Sequence, residues 1–355
     1  MNVRVDERFE LSTQRLTLRM LSRRDVTEFS RYRNIESVSQ FQDWQLPYTR
    51  DLAHDLIDEM DQLVGPTPDC WVQVAIERHE QLVGDIAIWL DGSAELAMIG
   101  YTIAPEHQGN SYAVEAAEAV LTYLFGSVGV HRVAATIDPR NMASARVLER
   151  CGFEYVGTAR ASAWSRGAWT DDARFSLLAT DWAAWTGRPT APPEDVRFAE
   201  VSADNLDAVC NISIAHSQRR FVRSPAESIA DAAHPPIVNG VPLLPWYRAI
   251  IADGEVAGFI LVARSTVSQP VPHVWRMLVD QRHQRRGIAR RAIGELAKLL
   301  LATGDTRLTA SFVDEPGGPE AFYQALGFVR TGRIDAVTGE VTASAPLEPL
   351  ANRVA

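Results

Sequence analysis

The chain repeats itself. Gln108-Gly109-Asn110-Ser111-Tyr112-Ala113 and Gln284-Arg285-Arg286-Gly287-Ile288-Ala289 share the frame Gln-x-x-small-x-Ala, about 175 residues apart. Gly84 and Gly258, Gly152-Phe153 and Gly327-Phe328, and Gly157 and Gly332 recur at nearly the same offset. Several landmarks in one register mean two copies of one domain type, each closing its own core. With 355 residues, 46% of them hydrophobic, the chain has material for both.

The copies meet near the midpoint. Pro189, Pro192 and Pro193 fall within five positions, which neither a helix nor a central strand tolerates. The expected boundaries are a first domain at 1–186, a Pro-rich linker at 187–195 and a second domain at 196–350. Each half opens on a strand (15–21, 196–201) and a helix start marked by Ser22-x-x-Asp25 or Ser202-x-x-Asn205. Two strands follow (72–79 with 82–90, 247–254 with 256–264), the second pair joined by an Asp253-Gly254 hairpin turn. Another strand leads into the repeated loop (96–104, 273–280). Ile288, Ala292, Leu296 and Leu299 then keep helical spacing. A strand, a short helix and a last strand pair complete each half. The expected fold class is α+β, with two tandem domains, each a mixed twisted sheet flanked by helices. The stretches 41–70 and 216–244 carry no readable pattern.

At a strand-to-helix junction the repeated loop has a chemical meaning. The first N–H groups of a helix have no intrahelical partner and lie at the positive end of its dipole. Small residues let an anion approach, so the loop reads as a cradle for phosphate. Taken with the runs "STQRLTLRMLSRRDV", "IGYTIAPEHQGNSYAVEA" and "DPRNMASARVLERCGFEYVGT", the first half resembles the ribosomal-protein N-terminal acetyltransferase branch of the GNAT superfamily. The second half, through "QRRFVRSPAESIADA", "VWRMLVDQRHQRRGIARRAI" and "PEAFYQALGFVRTGRID", resembles the polyamine (spermidine-type) branch.

The resemblance implies acetyl-CoA as co-substrate and a small-molecule amine as acceptor. It places the coenzyme on Gln284, Arg285, Arg286, Gly287, Ile288 and Ala289, and on Gln108, Gly109, Asn110, Ser111, Ala113 and Asn141. An alkyl ammonium has a pKa of roughly 10.4, so deprotonation at pH 7 costs roughly 4–5 kcal/mol. A base must offset this, and an acid helps the thiolate leave. Tyr323 matches the position of the family's general-acid tyrosine, with Phe322 beside it as the core residue. Asp280, Glu227 and Asp231 are the candidate bases or amine-binding carboxylates, with solvated surface carboxylates as the alternative. Ser144 stands where some relatives place a serine near the thiolate, or is a small helix residue. Asn141 also suits a helix N-cap. Ser111 where Gly is usual, and Met98 where an acidic residue is common, make the second domain the expected catalyst. A protein N-terminal amine or amine antibiotic for the first domain, or a non-catalytic acyl-CoA scaffold, are the alternatives.

Composition narrows the partners. A net charge of −10 leans towards cationic substrates and away from nucleic acid, despite the basic run Arg282, Arg285, Arg286, Arg290 and Arg291. His107 and His283, flanking the cradles, read as loop-positioning residues. Trp246 and Tyr247 suit either a pocket wall or the core. Cys70, Cys151 and Cys210 have no metal or disulfide spacing, so no metal and a reducing, cytoplasmic setting are expected. The opening 16 residues lack a leader's apolar stretch, and no run reaches the ~18–20 apolar residues of a membrane span. The expected assembly is a monomer with an internal pseudo-dimer, or a homodimer.

Overall fold

The computed structural model describes residues 8–238 and 240–352. The leader-peptide expectation therefore falls partly outside the described residues. The chain divides into two compact units, 1–187 and 188–355.

In the first unit, β1 (Glu10–Ser12) and β2 (Thr17–Met20) form a hairpin ahead of α1 (Val26–Arg33), α2 (Glu36–Ser39) and α3 (Arg50–Met60). Then come β3 (Trp71–Arg78), β4 (Gln81–Leu90), β5 (Leu96–Ile103), α4 (Tyr112–Tyr123), β6 (Arg132–Ile137), α5 (Met142–Arg150), β7 (Glu154–Ser165), β8 (Ala168–Leu178) and α6 (Ala179–Thr186). The sheet order is β1-β2-β3-β4-β5-β6-β8-β7, antiparallel except between β5 and β6.

The second unit runs β9 (Val196–Ala199), α7 (Leu206–Cys210), α8 (Pro225–Ala233), the small ribbon β10 (Ile237–Val238) with β11 (Val241–Pro242), then β12 (Leu244–Ala252), β13 (Glu255–Arg264) and β14 (His273–Val279). It continues through α9 (Ile288–Ala302), β15 (Arg307–Val313), α10 (Glu320–Ala325), β16 (Val329–Ile334), β17 (Glu340–Pro346) and α11 (Leu347–Asn352). Its sheet order, β16-β17-β15-β14-β13-β12-β9, is that of the first unit without β1, and only β14 and β15 run parallel. Both units are α+β.

Each sheet carries a core on both faces. In the second unit one core packs α9 onto Ile260, Val262, Leu308 and Ala310, while α7 and α8 cover Phe259, Leu261 and Leu278 on the other. Burying each large aliphatic side chain contributes roughly 1.5–3 kcal/mol. The buried stripe of α9 runs Ile288, Ala292, Ile293, Leu296 and Leu300. Leu299, expected on that stripe, is 49% exposed, because a helix turning 100° per residue brings position 300 under position 296 instead. The unreadable stretch 41–70 contains α3, whose Ala53, Ile57 and Met60 are buried. The stretch 216–244 contains α8, capped by Ser224.

Most of the expected linker is not free. Arg286 Nε donates to the Ala191 carbonyl at 2.7 Å, Arg291 bonds the Pro193 carbonyl, and the Glu194 N–H donates to Asp253 at 2.7 Å. Residues 191–195 are therefore stitched to the second unit, and the tether between units shrinks towards 187–190.

The repeated Gly-Phe has a local cause. Gly152 takes φ +88° just past α5, and Phe153 N–H closes the helix onto the Leu148 carbonyl at 3.0 Å. A Cβ on Gly152 would lie 2.6 Å from the Trp185 ring. Gly152→Ala is therefore expected to destabilise the first unit by about 2–4 kcal/mol, combining left-handed strain with overpacking. Urea unfolding followed by tryptophan fluorescence checks this, and a shift within about 0.5 kcal/mol of wild type contradicts it.

Candidate active site

A parallel pair that parts early makes the site. In the second unit β14 meets β15 only at His273 with Thr309 and Val274 with Ala310. Beyond them the strands diverge, and a bulge on β13 and β14 near Leu261 turns the edge away. The wedge is a cleft of about 670 Å³, walled by Met277 and Val279 from β14, Phe312 from β15, and Phe322 and Tyr323 from α10. Its mouth is crossed by residues 218–221. Gln218 bonds Gln284 on one side (2.9 Å), and Arg220 donates to the Pro316 carbonyl on the other (2.9 Å). The first unit parts its strands likewise, β5 and β6 pairing only over Leu96–Met98 and Arg132–Ala134.

Both cradles have one backbone shape. Gly109 and Ser111 have φ +77° and +64°, and Arg285 and Gly287 have +64° and +81°. Alternating left-handed residues turn successive N–H groups to one side, forming a nest at the start of a helix. Ser111 replaces glycine without losing that shape. Its hydroxyl accepts from Arg150 at 3.0 Å, which helps hold the strained conformation.

The glutamines serve the loop. Gln108 Nε2 donates to the Ile103 carbonyl (3.0 Å), and Gln284 Nε2 to the Val279 carbonyl (2.9 Å). Each ties the cradle to the end of the preceding strand. Asn110 likewise donates to the His107 and Gln108 carbonyls. Arg286, expected on the coenzyme, is buried and turned away, donating to Asp253 (2.7 Å) and Ala191 and touching His283 Nδ1 (3.0 Å). His283 is buried beside it and also lines the cleft. Arg285, Gly287, Ile288 and Ala289 line the cleft.

Tyr323 is 6% exposed and lines the cleft. Its ring stacks on Phe312 at 5.7 Å and meets Phe322 and Phe328 edge-on. Burial pushes its hydroxyl well above the usual tyrosine range, so it keeps its proton through neutral pH. Phe322, expected as the core residue of the pair, is the less buried of the two.

The three expected carboxylates do not line this cleft. Asp280 is buried as a cap, accepting from the Ser213 and Arg282 N–H groups and the Arg282 guanidinium at 2.9–3.0 Å. Glu227 closes a capping box on Ser224 at the solvent face of α8. Asp231 pairs with Arg223 at 3.2 Å and lies 3.9 Å from Arg276, both of which do line the cleft. The carboxylate that lines it is Glu340, at the start of β17 opposite Val313. No local pattern marks Glu340, since only antiparallel pairing with β15 brings it to the cleft wall. Trp246 packs on Phe198, Tyr247 lies over Phe259, and neither lines the cleft.

In the first unit Asn141 caps α5, accepting from the Ser144 N–H at 3.1 Å. Ser144 Oγ contacts Tyr101 Oη at 3.0 Å, and that phenol donates to the Ser144 carbonyl at 2.8 Å. Burial raises the Tyr101 phenol. The two hydroxyls thus join β5 to α5. Among the described residues no cluster of three or more His, Cys, Asp or Glu is arranged to hold a metal ion. No described helix is long and apolar enough to cross a membrane.

His273, at the closed end of the second wedge, gives a pH signature. Thr309 Oγ1 donates to the Pro272 carbonyl (3.1 Å), so it accepts from His273 Nδ1 (2.9 Å). Burial, with Arg276 and Arg333 nearby, pulls the imidazole down to about 4. The unfolded chain takes up the proton near pH 6.5, so this stability is complete above about 6.5 and fades as pH falls towards 4. The expected loss is up to about 3 kcal/mol over that window, absent in His273→Gln. Urea unfolding at pH 7, 5.5 and 4.5 measures it, and equal pH slopes in the two proteins contradict it.

A phosphate nest at a helix start, opening into a wedge between parted parallel strands with a buried phenol on its wall, suits a phosphate-bearing ligand held beside a proton donor. Comparison with known proteins agrees. The Acetyltransferase (GNAT) domain model matches residues 15–154, and the Acetyltransferase (GNAT) family model matches residues 214–328. Together they cover well over half of the chain, which belongs to the GNAT family and carries two GNAT domains in tandem.

Among curated relatives, the chain is 34% identical over 104 residues to the probable N-acetyltransferase YjcK of Bacillus subtilis, covering 29% of this chain and 58% of that protein. It is 33% identical over 91 residues to the [ribosomal protein uS5]-alanine N-acetyltransferase of Escherichia coli, covering 26% of this chain and 47% of that one. The chain spans 58% and 64% of the length of YjcK and of the uncharacterized N-acetyltransferase YnaD of B. subtilis. Among solved structures it is similar to Mycobacterium smegmatis RimJ in complex with CoA-disulfide, at 23% identity and a TM-score of 0.42, covering 48% of this chain and 88% of that one.

Proposed function

We propose that the protein is an acetyl-CoA-dependent N-acetyltransferase, its second domain acetylating a primary amine of a small molecule. The observation that carries this is the single cleft joining the Gly287 nest to Tyr323. The site suits the coenzyme: a Cβ on Gly287 would have nothing within 4 Å, so the nest is open to a phosphate. Its backbone N–H groups, from Gly287 to Ala289, with Arg285 and Arg290 beside them, would hold the pyrophosphate. When bound, acetyl-CoA supplies the acetyl thioester and a thiol leaving group. Tyr323 Oη holds a proton on the cleft wall, ready to be given to a developing anion. Glu340 is the cleft carboxylate able to receive the amine's proton. The apolar walls, Met277 and Phe312, exclude water.

A second reading gives the first domain its own acceptor. It rests on the Tyr101–Ser144 hydroxyl pair between β5 and α5 and on the relative that acts on an alanine of a ribosomal protein. Thiol release from acetyl-CoA over an amine panel tests the main proposal. Release abolished by Gly287→Glu is expected. Release that survives this change moves the activity to the first domain, and none with any amine favours a non-catalytic scaffold.

A further inference from the structure

The second-domain cleft has an unexpected charge. Arg219, Arg220, Arg223, Arg276, Arg285 and Arg290 all line it, against the lone carboxylate of Glu340 among the lining residues. Arg285 and Arg290 flank the nest and suit the coenzyme's phosphates. Of the other four, Arg219, Arg220 and Arg223 come from the loop that crosses the mouth and runs on to α8, and Arg276 comes from β14. Arg276 rises from the face of β14 covered by α8, as its neighbour Leu278 does, and α9 with its nest covers the opposite face.

Their counter-charges are incomplete. Arg220 pairs with Glu315 at 3.0 Å. Arg223 and Arg276 share Asp231, at 3.2 and 3.9 Å, outside the cleft lining. Arg276 spends Nη1 on its own neighbour's carbonyl, that of Trp275, at 2.7 Å. Burial lowers its guanidinium despite Glu340 and Asp231, consistent with a cation short of an anionic partner. Among the described residues the Arg219 side chain makes no hydrogen bond or ion pair, and it is exposed at the mouth.

We infer that the acetyl acceptor of the second domain is an amine that also carries an anionic group, a carboxylate or a phosphate, held by Arg219, Arg223 and Arg276 with its amine towards Glu340. Guanidinium forks match both anions in shape and charge. The same set repels a polycation, so selectivity is built as much from repulsion as from attraction. This reverses the leaning towards cationic acceptors drawn from the net charge of −10 and from the polyamine-branch resemblance, because the local field at the cleft opposes the whole-chain charge. The inference rests on the proposed acetyl-acceptor role of this cleft.

The test is calorimetry on the full chain loaded with coenzyme A, using β-alanine against β-alaninamide, O-phosphoethanolamine against ethanolamine, and spermidine. The expected result is at least about tenfold tighter binding of one anionic member than of its neutral partner. The carboxylate and phosphate pairs show which anion is preferred. That advantage should shrink to within about threefold in Arg276→Gln and in Arg219→Gln, the latter altering a side chain that nothing else in the fold uses. The inference is overturned if the neutral partners bind equally well, if spermidine binds best, or if none of the five binds. Thiol release with acetyl-CoA is read separately. Anion preference without release upholds recognition of the anion by these arginines and overturns the transfer reading.

Discussion

Tyr323→Phe is expected to lower kcat of second-domain acetyl transfer by roughly 10²-fold or more while leaving coenzyme affinity within about threefold of wild type. The ring is clamped between Phe312, Phe322 and Phe328, so removing one oxygen leaves the packing in place. Among the described residues the hydroxyl has no hydrogen-bond partner, so its loss breaks no hydrogen bond and the variant should fold as wild type does. Because burial raises the phenol, it stays a proton donor from acidic to mildly alkaline pH, and its titration should not appear in kcat below about pH 10. Steady-state thiol release and calorimetric titration of acetyl-CoA measure the two quantities. Unchanged kcat would mean another group supplies the proton.

Gly287→Glu is expected to remove one equivalent of acetyl-CoA binding, weakening that site by roughly 10²-fold or more. A side chain at φ +81° costs roughly 1–2 kcal/mol in strain, and a carboxylate at the nest repels the phosphates that its N–H groups attract. The fold should survive, because Ser111 shows that a residue with a Cβ holds this conformation in the first unit. Calorimetric stoichiometry decides between outcomes. Two equivalents falling to one would mean that both nests bind and that Ser111 is tolerated. One falling to none would make the first unit a scaffold. One that survives would reverse the choice of domain.

Much of the fold was legible because its signals are local. The nests, the hairpin at Asp253-Gly254 and the Gly-Phe stops all rest on backbone conformations that short motifs demand, and repetition marked the nests and the Gly-Phe stops twice. The strand runs were equally plain, since a sheet buried on both faces writes continuous apolar stretches. The helices α3 and α8 were harder to read, being short, with their apolar residues diluted by charge.

The candidate site divides along the same line. Tyr323 and the nest could be found because they sit in motifs tied to one helix start or one short helix. The carboxylates could not be placed that way. Asp280, Glu227 and Asp231 are near the site in the chain, yet each is engaged as a cap or ion pair outside the cleft lining. Glu340 reaches the cleft from a strand that returns to pair with β15, and Arg219, Arg223 and Arg276 converge from a loop and a strand more than fifty residues apart. Spacing along a chain specifies conformations a few residues long. The field inside a cleft is a sum over side chains from several elements, and it comes into being only when the sheet has brought them together.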